Sequence, residues 1–236
     1  MIDKNLLKKQ CLKYDVQLTN DQIDCLDKFA DMLVEWNKKF NLTAITEPTQ
    51  IVYKHFIDSL LVLKAVELKN NASLADIGTG AGFPSTPISI VRRDVEVTQI
   101  DSLRKRVGFL QHVSDNFHLK IRTIHGRAEE LGKKDEYREQ FDYVTARAVA
   151  PLQKLSEYCL PLVKIGGFFI AMKGSEYEVE VDDSKKAIDV LGGQIEKIKN
   201  FELPDSSARN IILIKKISRT PTKYPRNSGK ISKKPI

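Results

Sequence analysis

Ser73-Leu74-Ala75-Asp76-Ile77-Gly78-Thr79-Gly80-Ala81-Gly82-Phe83-Pro84 is the stretch on which the fold turns. A short apolar run passes into three alternating glycines, and a segment suited to a helix follows. A strand that ends on glycines and gives way to a helix is the turn at which parallel α/β sheets collect ligands, outside the carboxyl ends of their strands. Gly78 and Gly80 let the backbone bend tightly and come close to a ligand with no Cβ in the way. The spacing selects among ligands. A dinucleotide fingerprint, G-x-G-x-x-G, read from Gly78 needs its third glycine at position 83, where the chain has Phe83; the glycine comes one residue early, at Gly82. No G-x4-G-K-[ST] run is present, which excludes a P-loop.

Downstream of this turn, short strands alternate with helical stretches. Strands are expected at 73–78, 96–101, 120–125, 141–146, 167–173, 194–201 and 210–216. The last two are joined by a segment holding Pro204, Asp205 and Ser206, too short for a crossover helix, which predicts a closing antiparallel hairpin on an otherwise parallel sheet. The fold class is a doubly wound, mostly parallel seven-stranded α/β sheet with an N-terminal helical extension. Upstream, Thr19-Asn20-Asp21-Gln22 forms a capping box with Leu18 and Ile23 as its staple. Ile23, Leu26, Ala30, Leu33 and Phe40 follow at helical spacing. A second helix is expected after Thr46, with Pro48 in its first turn and Ile51, Phe56, Leu60 and Leu63 on its apolar face. The chain thus divides into a helical cap (1–70), an α/β domain (71–217) and a tail (218–236).

The chain has 236 residues, 42% hydrophobic and 29% charged, enough for one large domain with an appendage. Its longest apolar runs are far short of a membrane span, and no basic-then-apolar leader opens it, so a soluble, cytoplasmic protein is expected. Cys11, Cys25 and Cys159 show no CxxC spacing, and none of the four histidines stands beside a cysteine. That pattern argues against a disulfide framework and a zinc cluster, and no metal is expected. The formal net charge is +7, and it is concentrated. Arg219, Lys223, Arg226, Lys230, Lys233 and Lys234 lie in the tail without a single acid, and the rest of the chain is nearly neutral. Pro221, Pro225, Pro235 and Gly229 argue against a regular helix there. The tail reads as a basic arm that tracks phosphates, with a frayed, solvated terminus as the alternative.

Asp101 ends the second strand 19 residues beyond Gly82, a distance that suits an acid accepting from two ribose hydroxyls; capping of the next helix is the alternative. Gly126-Arg127-Ala128-Glu129, after the third strand, occupies the loop that borders an adenine in such folds. The acid-x-G-x-G-x-G turn itself resembles the first motif of S-adenosylmethionine-dependent methyltransferases. Further segments occur in order: Asn41-Leu42-Thr43-Ala44-Ile45, His55-x-x-Asp58-Ser59-Leu60, the glycine turn through Phe83-Pro84, Asp101-Ser102-Leu103-x-Lys105-Arg106, Gly126 to Glu129, Thr145-Ala146-Arg147-Ala148-Val149-Ala150-Pro151-Leu152, and Thr220-Pro221-x-Lys223-Tyr224-Pro225-Arg226 through Lys233-Lys234-Pro235. Together they resemble the bacterial small-subunit ribosomal RNA guanine-N7 methyltransferases, the RsmG or glucose-inhibited division protein B family, from about residue 41 to the end.

The resemblance implies a Rossmann-like class I methyltransferase fold, S-adenosyl-L-methionine as cofactor, 16S ribosomal RNA of the small ribosomal subunit as partner, and a monomer. It implies a cofactor site at Gly78, Phe83, Ala128, Glu129 and Arg147, with Asp101 at the ribose. The chain departs from the family at Ser85-Thr86, where Gly-Leu or Gly-Ile is usual. Guanine N7 carries a free lone pair, so no proton has to leave and no catalytic base is nominated. Cys159 reads as core packing rather than as the nucleophile a cytosine-C5 enzyme needs. His55 reads as packed or hydrogen-bonded, and Arg147 alone would also read as an ion-pair partner. The A-form major groove is too deep for side chains, so an accessible or flipped guanine is the expected target. Phosphate contacts are expected from Arg104-Lys105-Arg106 and the tail. Deleting the tail is accordingly expected to weaken RNA binding and spare the cofactor.

Overall fold

The computed structural model of the chain describes residues 2–236. Its centre is a seven-stranded sheet in the order β3-β2-β1-β4-β5-β7-β6. The strands are β1 (Ser73–Ile77), β2 (Glu96–Asp101), β3 (Ile121–His125), β4 (Phe141–Arg147), β5 (Val163–Lys173), β6 (Gly193–Glu202) and β7 (Ala208–Lys216). The first five are parallel, and β7 runs antiparallel between β5 and β6. All seven expected strands are present, and the predicted hairpin closes one end. The chain enters the sheet at β1, winds outward to β3, returns to β4 beside β1 and winds the other way. The crevice between β1 and β4 is therefore the switch point where ligands collect.

Both faces of the sheet are covered, so its strands alternate between two apolar layers. Leu74, Tyr143, Ile211 and Leu213 point into one core, and Ala75, Val144, Ile212 and Ile214 into the other. The first core is shared with the N-terminal helices α1 (Lys4–Lys13) and α2 (Asn20–Phe40) and with α6 (Ser85–Val91) and α7 (Arg104–Phe117). The second lies beneath α8 (Ala128–Leu131), α9 (Leu152–Cys159) and α10 (Tyr177–Val190).

The capping box of α2 is formed: the Gln22 backbone donates to Thr19 Oγ1 (3.2 Å) and the Thr19 backbone to Gln22 Oε1 (2.9 Å). Ile23, Leu26, Phe29, Ala30 and Leu33 are buried along one face of the helix. Phe29 meets Phe56, Phe83 and Phe109, and Trp36, one turn from the end of α2, packs on Phe109 and His112 of α7. The next helical run is broken into α3 (Pro48–Ile51), a π-helical stretch (Val52–Ile57), α4 (Asp58–Leu60) and α5 (Val62–Ala65). Glu47 caps it, its carboxylate accepting from the Thr49 and Gln50 backbones. Ile51, Phe56 and Leu60 are buried as the spacing predicts, while Leu63 is only partly so. The wider π turn shifts the face after residue 57.

The tail is neither a frayed terminus nor without a regular helix. It folds back onto α9 and ends in a short helix, α11 (Ser228–Lys233), capped by Asn227. The helix fits because Pro225 and Pro235 lie outside it. Ile231 is fully buried. Arg226 grips the buried Glu157 through Nε (2.9 Å), Nη2 (2.6 Å) and its own backbone N–H (2.7 Å). Arg138 donates to the carbonyls of Thr220 (2.7 Å) and Tyr224 (2.8 Å).

Candidate active site

The glycine turn sits at the carboxyl end of β1, with Gly78, Gly80 and Gly82 at φ of +64°, +63° and +92°. These are left-handed values that side chains resist. Gly78 is constrained twice, because a Cβ there would stand 2.7 Å from Val149 Cγ2. The Gly78 backbone N–H donates to the Ile100 carbonyl (2.8 Å), tying the turn to β2. Beneath it Asp76 is fully buried. Its Oδ2 accepts from Thr79 Oγ1 (2.7 Å), Ser85 Oγ (2.6 Å) and the Ser85 backbone (3.3 Å). Gln99 Nε2 donates to Ser85 Oγ and Thr86 Oγ1, both at 2.9 Å. Ser85-Thr86, the family departure, thus supplies hydroxyls to a polar network under the turn. Asp76 Oδ1 finds no hydrogen-bond partner among the described residues, and burial pushes the carboxyl up to about 7.

Two cavities open at this edge of the sheet. A cleft of about 410 Å³ is lined by Gly78, Ile100, Ser102, Ala128, Glu129 and Val149 among others. A larger cavity of about 630 Å³ is lined by Lys54, His55, Asp58, Arg147, Lys173 and Arg209 among others. Val149, Ala150 and Pro151 border both, forming a wall between them. The wall starts at Ala148, a non-glycine residue at φ +56°. Lys173 Nζ holds the Ala150 carbonyl (2.7 Å), and Glu180 Oε2 accepts from both Lys173 Nζ and the Leu152 backbone, each at 2.6 Å.

Of the six expected cofactor residues, the structure brings Gly78, Ala128 and Glu129 together in the cleft. Asp101 is buried behind it. One carboxylate oxygen accepts from the Gly80 backbone (3.0 Å) and from Arg106 (3.3 Å), and the other from the Leu103 backbone (2.9 Å). It joins the glycine turn to the start of α7, and its neighbour Ser102 faces the cleft instead. The Phe83 ring is packed against Phe29, Phe56 and His55 and lines neither cavity. Arg147 belongs to the larger cavity. It donates through Nη1 to Asp58 Oδ2 (2.7 Å) and the Lys54 carbonyl (3.0 Å), and it lies over the Phe83 ring. Arg209 Nε stands 3.1 Å from the other Asp58 oxygen.

His55 is packed and hydrogen-bonded. Its ring stacks on Phe83 at 4.2 Å, with Arg147 Nη2 3.3 Å from Nδ1 and Thr43 Oγ1 3.1 Å from Nε2. Burial and the adjacent Arg147 push its pKa down to about 3, so the ring is neutral and accepts from Arg147 at Nδ1. Cys159 is fully buried, and desolvation raises its thiol well above the ordinary range.

Lys54, Lys173, Glu180 and Arg209 escaped the reading of the sequence. Lys173 carried a signal, as the last residue of a strand. Arg209 did not: because β7 is antiparallel, its beginning, opposite the end of β5, lies at the ligand edge.

The profile of the rRNA small subunit methyltransferase G family matches residues 22–212. A ribosomal RNA small subunit methyltransferase G of Desulforamulus reducens is 49% identical over 232 residues, covering 98% of this chain and 97% of that protein. The protein of the same name from Acetivibrio thermocellus is 52% identical over 235 residues, covering 99% and 96%. Among solved structures, a SAM-dependent O-methyltransferase of Thermotoga maritima superposes with a TM-score of 0.54 at 16% identity, over 80% of this chain and 72% of that one. NSun6 of Pyrococcus horikoshii, solved with SFG, gives 0.55 at 13% identity, over 70% and 53%. These structures agree in fold. The sequence likeness goes further, and the chain belongs to the rRNA small subunit methyltransferase G family.

Proposed function

We propose that the chain transfers the methyl group of S-adenosyl-L-methionine to N7 of a guanine in 16S ribosomal RNA, acting as a monomer in the cytoplasm. The observation that supports this reading most is the pair of cavities meeting at the Val149–Pro151 wall, one formed around a glycine turn and the other cationic.

The cofactor supplies a methyl group on a positively charged sulfur. The cleft suits such a zwitterionic nucleoside: Gly78 leaves open the space a Cβ would take, and Ala128 and Glu129 offer a small side chain and a carboxylate. Asp101 acts by holding the Gly80 N–H and the start of α7, and Phe83 acts by supporting His55 and Arg147 from below. Both cavities are complete within one chain.

The larger cavity accepts the base. Lys54, Arg147, Lys173 and Arg209 outnumber Asp58 and Glu180, which suits an acceptor carrying phosphodiesters. Asp58, between Arg147 and Arg209, offsets their charge where a purine becomes cationic. Guanine N7 attacks with its own lone pair, so the neutral His55, with both ring nitrogens engaged, has no proton to take. The chain contributes alignment, an effect worth up to about 7–11 kcal/mol. The test is transfer of labelled methyl groups into small-subunit ribosomal RNA, followed by chemical strand cleavage at 7-methylguanine. Label without cleavage overturns N7 as the acceptor, and absence of label overturns the activity.

A further inference from the structure

The cleft around Gly78 has a lining residue in the tail, apart from every residue expected to hold the cofactor. Ser232, on α11, borders the same cleft as Gly78, Ala128 and Glu129. Tyr158 and Lys154 of α9 line the same cleft. Burial holds the Tyr158 hydroxyl above its ordinary pKa, and Glu129, Ser232 and Arg127, all lining the cleft, act on it together, so Ser232 and Glu129 share one part of the cleft.

This position is fixed by the fold. α11 is anchored through Ile231, which is fully buried, and by the Arg226–Glu157 fork just before it. Beyond it Gln153 Nε2 donates to the Ile236 carbonyl (2.7 Å). Upstream, Pro225 packs against Gly132, where a Cβ would stand 3.1 Å from its ring. With its buried residue inward and Ser232 toward the cleft, the helix has a defined rotation. Ser232 itself is exposed, as a group facing an open cleft should be.

We infer that α11 is a wall of the cofactor cleft and that Ser232 is a cofactor-binding residue at its nucleoside end. The inference rests on the proposed function. The hydroxyls of Ser232 and Tyr158 would meet the polar edge of the nucleoside.

Calorimetric titration of the full chain with S-adenosylhomocysteine tests it. Ser232→Trp is expected to weaken binding by more than about tenfold by filling the cleft. Ser232→Ala is expected to weaken it about three- to tenfold, the loss of one hydrogen bond. The same losses are expected with 5′-methylthioadenosine, which lacks the amino-acid end. A Ser232→Trp chain that keeps its thermal transition and binds both compounds within twofold of the parent overturns the inference. So does a loss seen with S-adenosylhomocysteine and not with methylthioadenosine. If Ser232→Trp fails to fold, Ser232→Ala decides alone, and affinity within twofold of the parent overturns the inference. A parent chain that binds neither compound overturns the proposed function instead.

Discussion

Asp76 has one carboxylate oxygen saturated with donors and the other buried alone. Its pKa, raised to about 7 by burial, stands above the roughly 3.9 of an unfolded chain, so between those values the folded chain keeps a proton that the unfolded one has lost. This contribution to stability is complete below about pH 4 and is lost as the pH rises through about 7. Asp76→Asn removes the dependence. Denaturant titrations should show the parent losing on the order of a few kcal/mol relative to the variant between pH 5 and pH 8. His55 works with the opposite sign in the same window, since its depressed pKa costs stability as the pH falls below its ordinary value. The comparison of parent with variant isolates Asp76 from it. At Gly78, valine adds a branched side chain where even a Cβ would meet Val149. Gly78→Val should abolish measurable binding of S-adenosylhomocysteine, and calorimetry checks it. The glycine turn was legible in the sequence because its requirement is local. The role of Asp101 was not: a count of residues places its Cα at the strand end but does not say to which side of the turn its carboxylate swings.

At the level of elements, α7 ends on His118, held at φ +49° in the left-handed region that favours glycine. His118→Gly should raise stability by roughly 1 kcal/mol, seen as a thermal midpoint about 2–4 °C higher. The wall between the two cavities depends on a different device. The Lys173–Glu180 pair, partly buried, grips Ala150 and Leu152 from β5 and α10, so removing one partner frees both wall contacts. Lys173→Met should lower methyl transfer more than S-adenosylhomocysteine affinity, because the wall borders the acceptor cavity as well; single-turnover rates beside calorimetry separate the two. The strands were readable from alternation and turn residues because both signals are periodic. The π-helical stretch was not, since one widened turn leaves no mark in the spacing of apolar residues. Nor was the helix in the tail, where three prolines drew the eye from the six residues between two of them.

Over the whole molecule, the tail is a built part of the body. Glu157 is 1% exposed beneath Arg226, and Ile231 is fully buried, so removing everything after Ser218 takes away an ion pair and uncovers apolar surface together. That deletion should cost about 3–5 kcal/mol, against the near-neutral effect of trimming a loose end, and denaturant unfolding would read it. A truncated chain therefore mixes a loss of stability with any loss of RNA affinity. The finer substitution of Lys230, Lys233 and Lys234 by alanine, all exposed, is the test of phosphate contact. It should reduce the slope of log affinity against log salt by about 2 for single-stranded RNA. The docking was illegible because it joins residues 69 apart in the chain by a pairing no local pattern announces.

Trp36 is the chain's single tryptophan, and it lies where α2 meets α7. Its intrinsic fluorescence is therefore a native reporter of one event, the seating of the N-terminal helices on the α/β layer. Because those helices share a core with one face of the sheet, emission and far-ultraviolet circular dichroism should lose their folded signals together on denaturation, and an emission change that comes first would mark the cap as a unit that melts by itself.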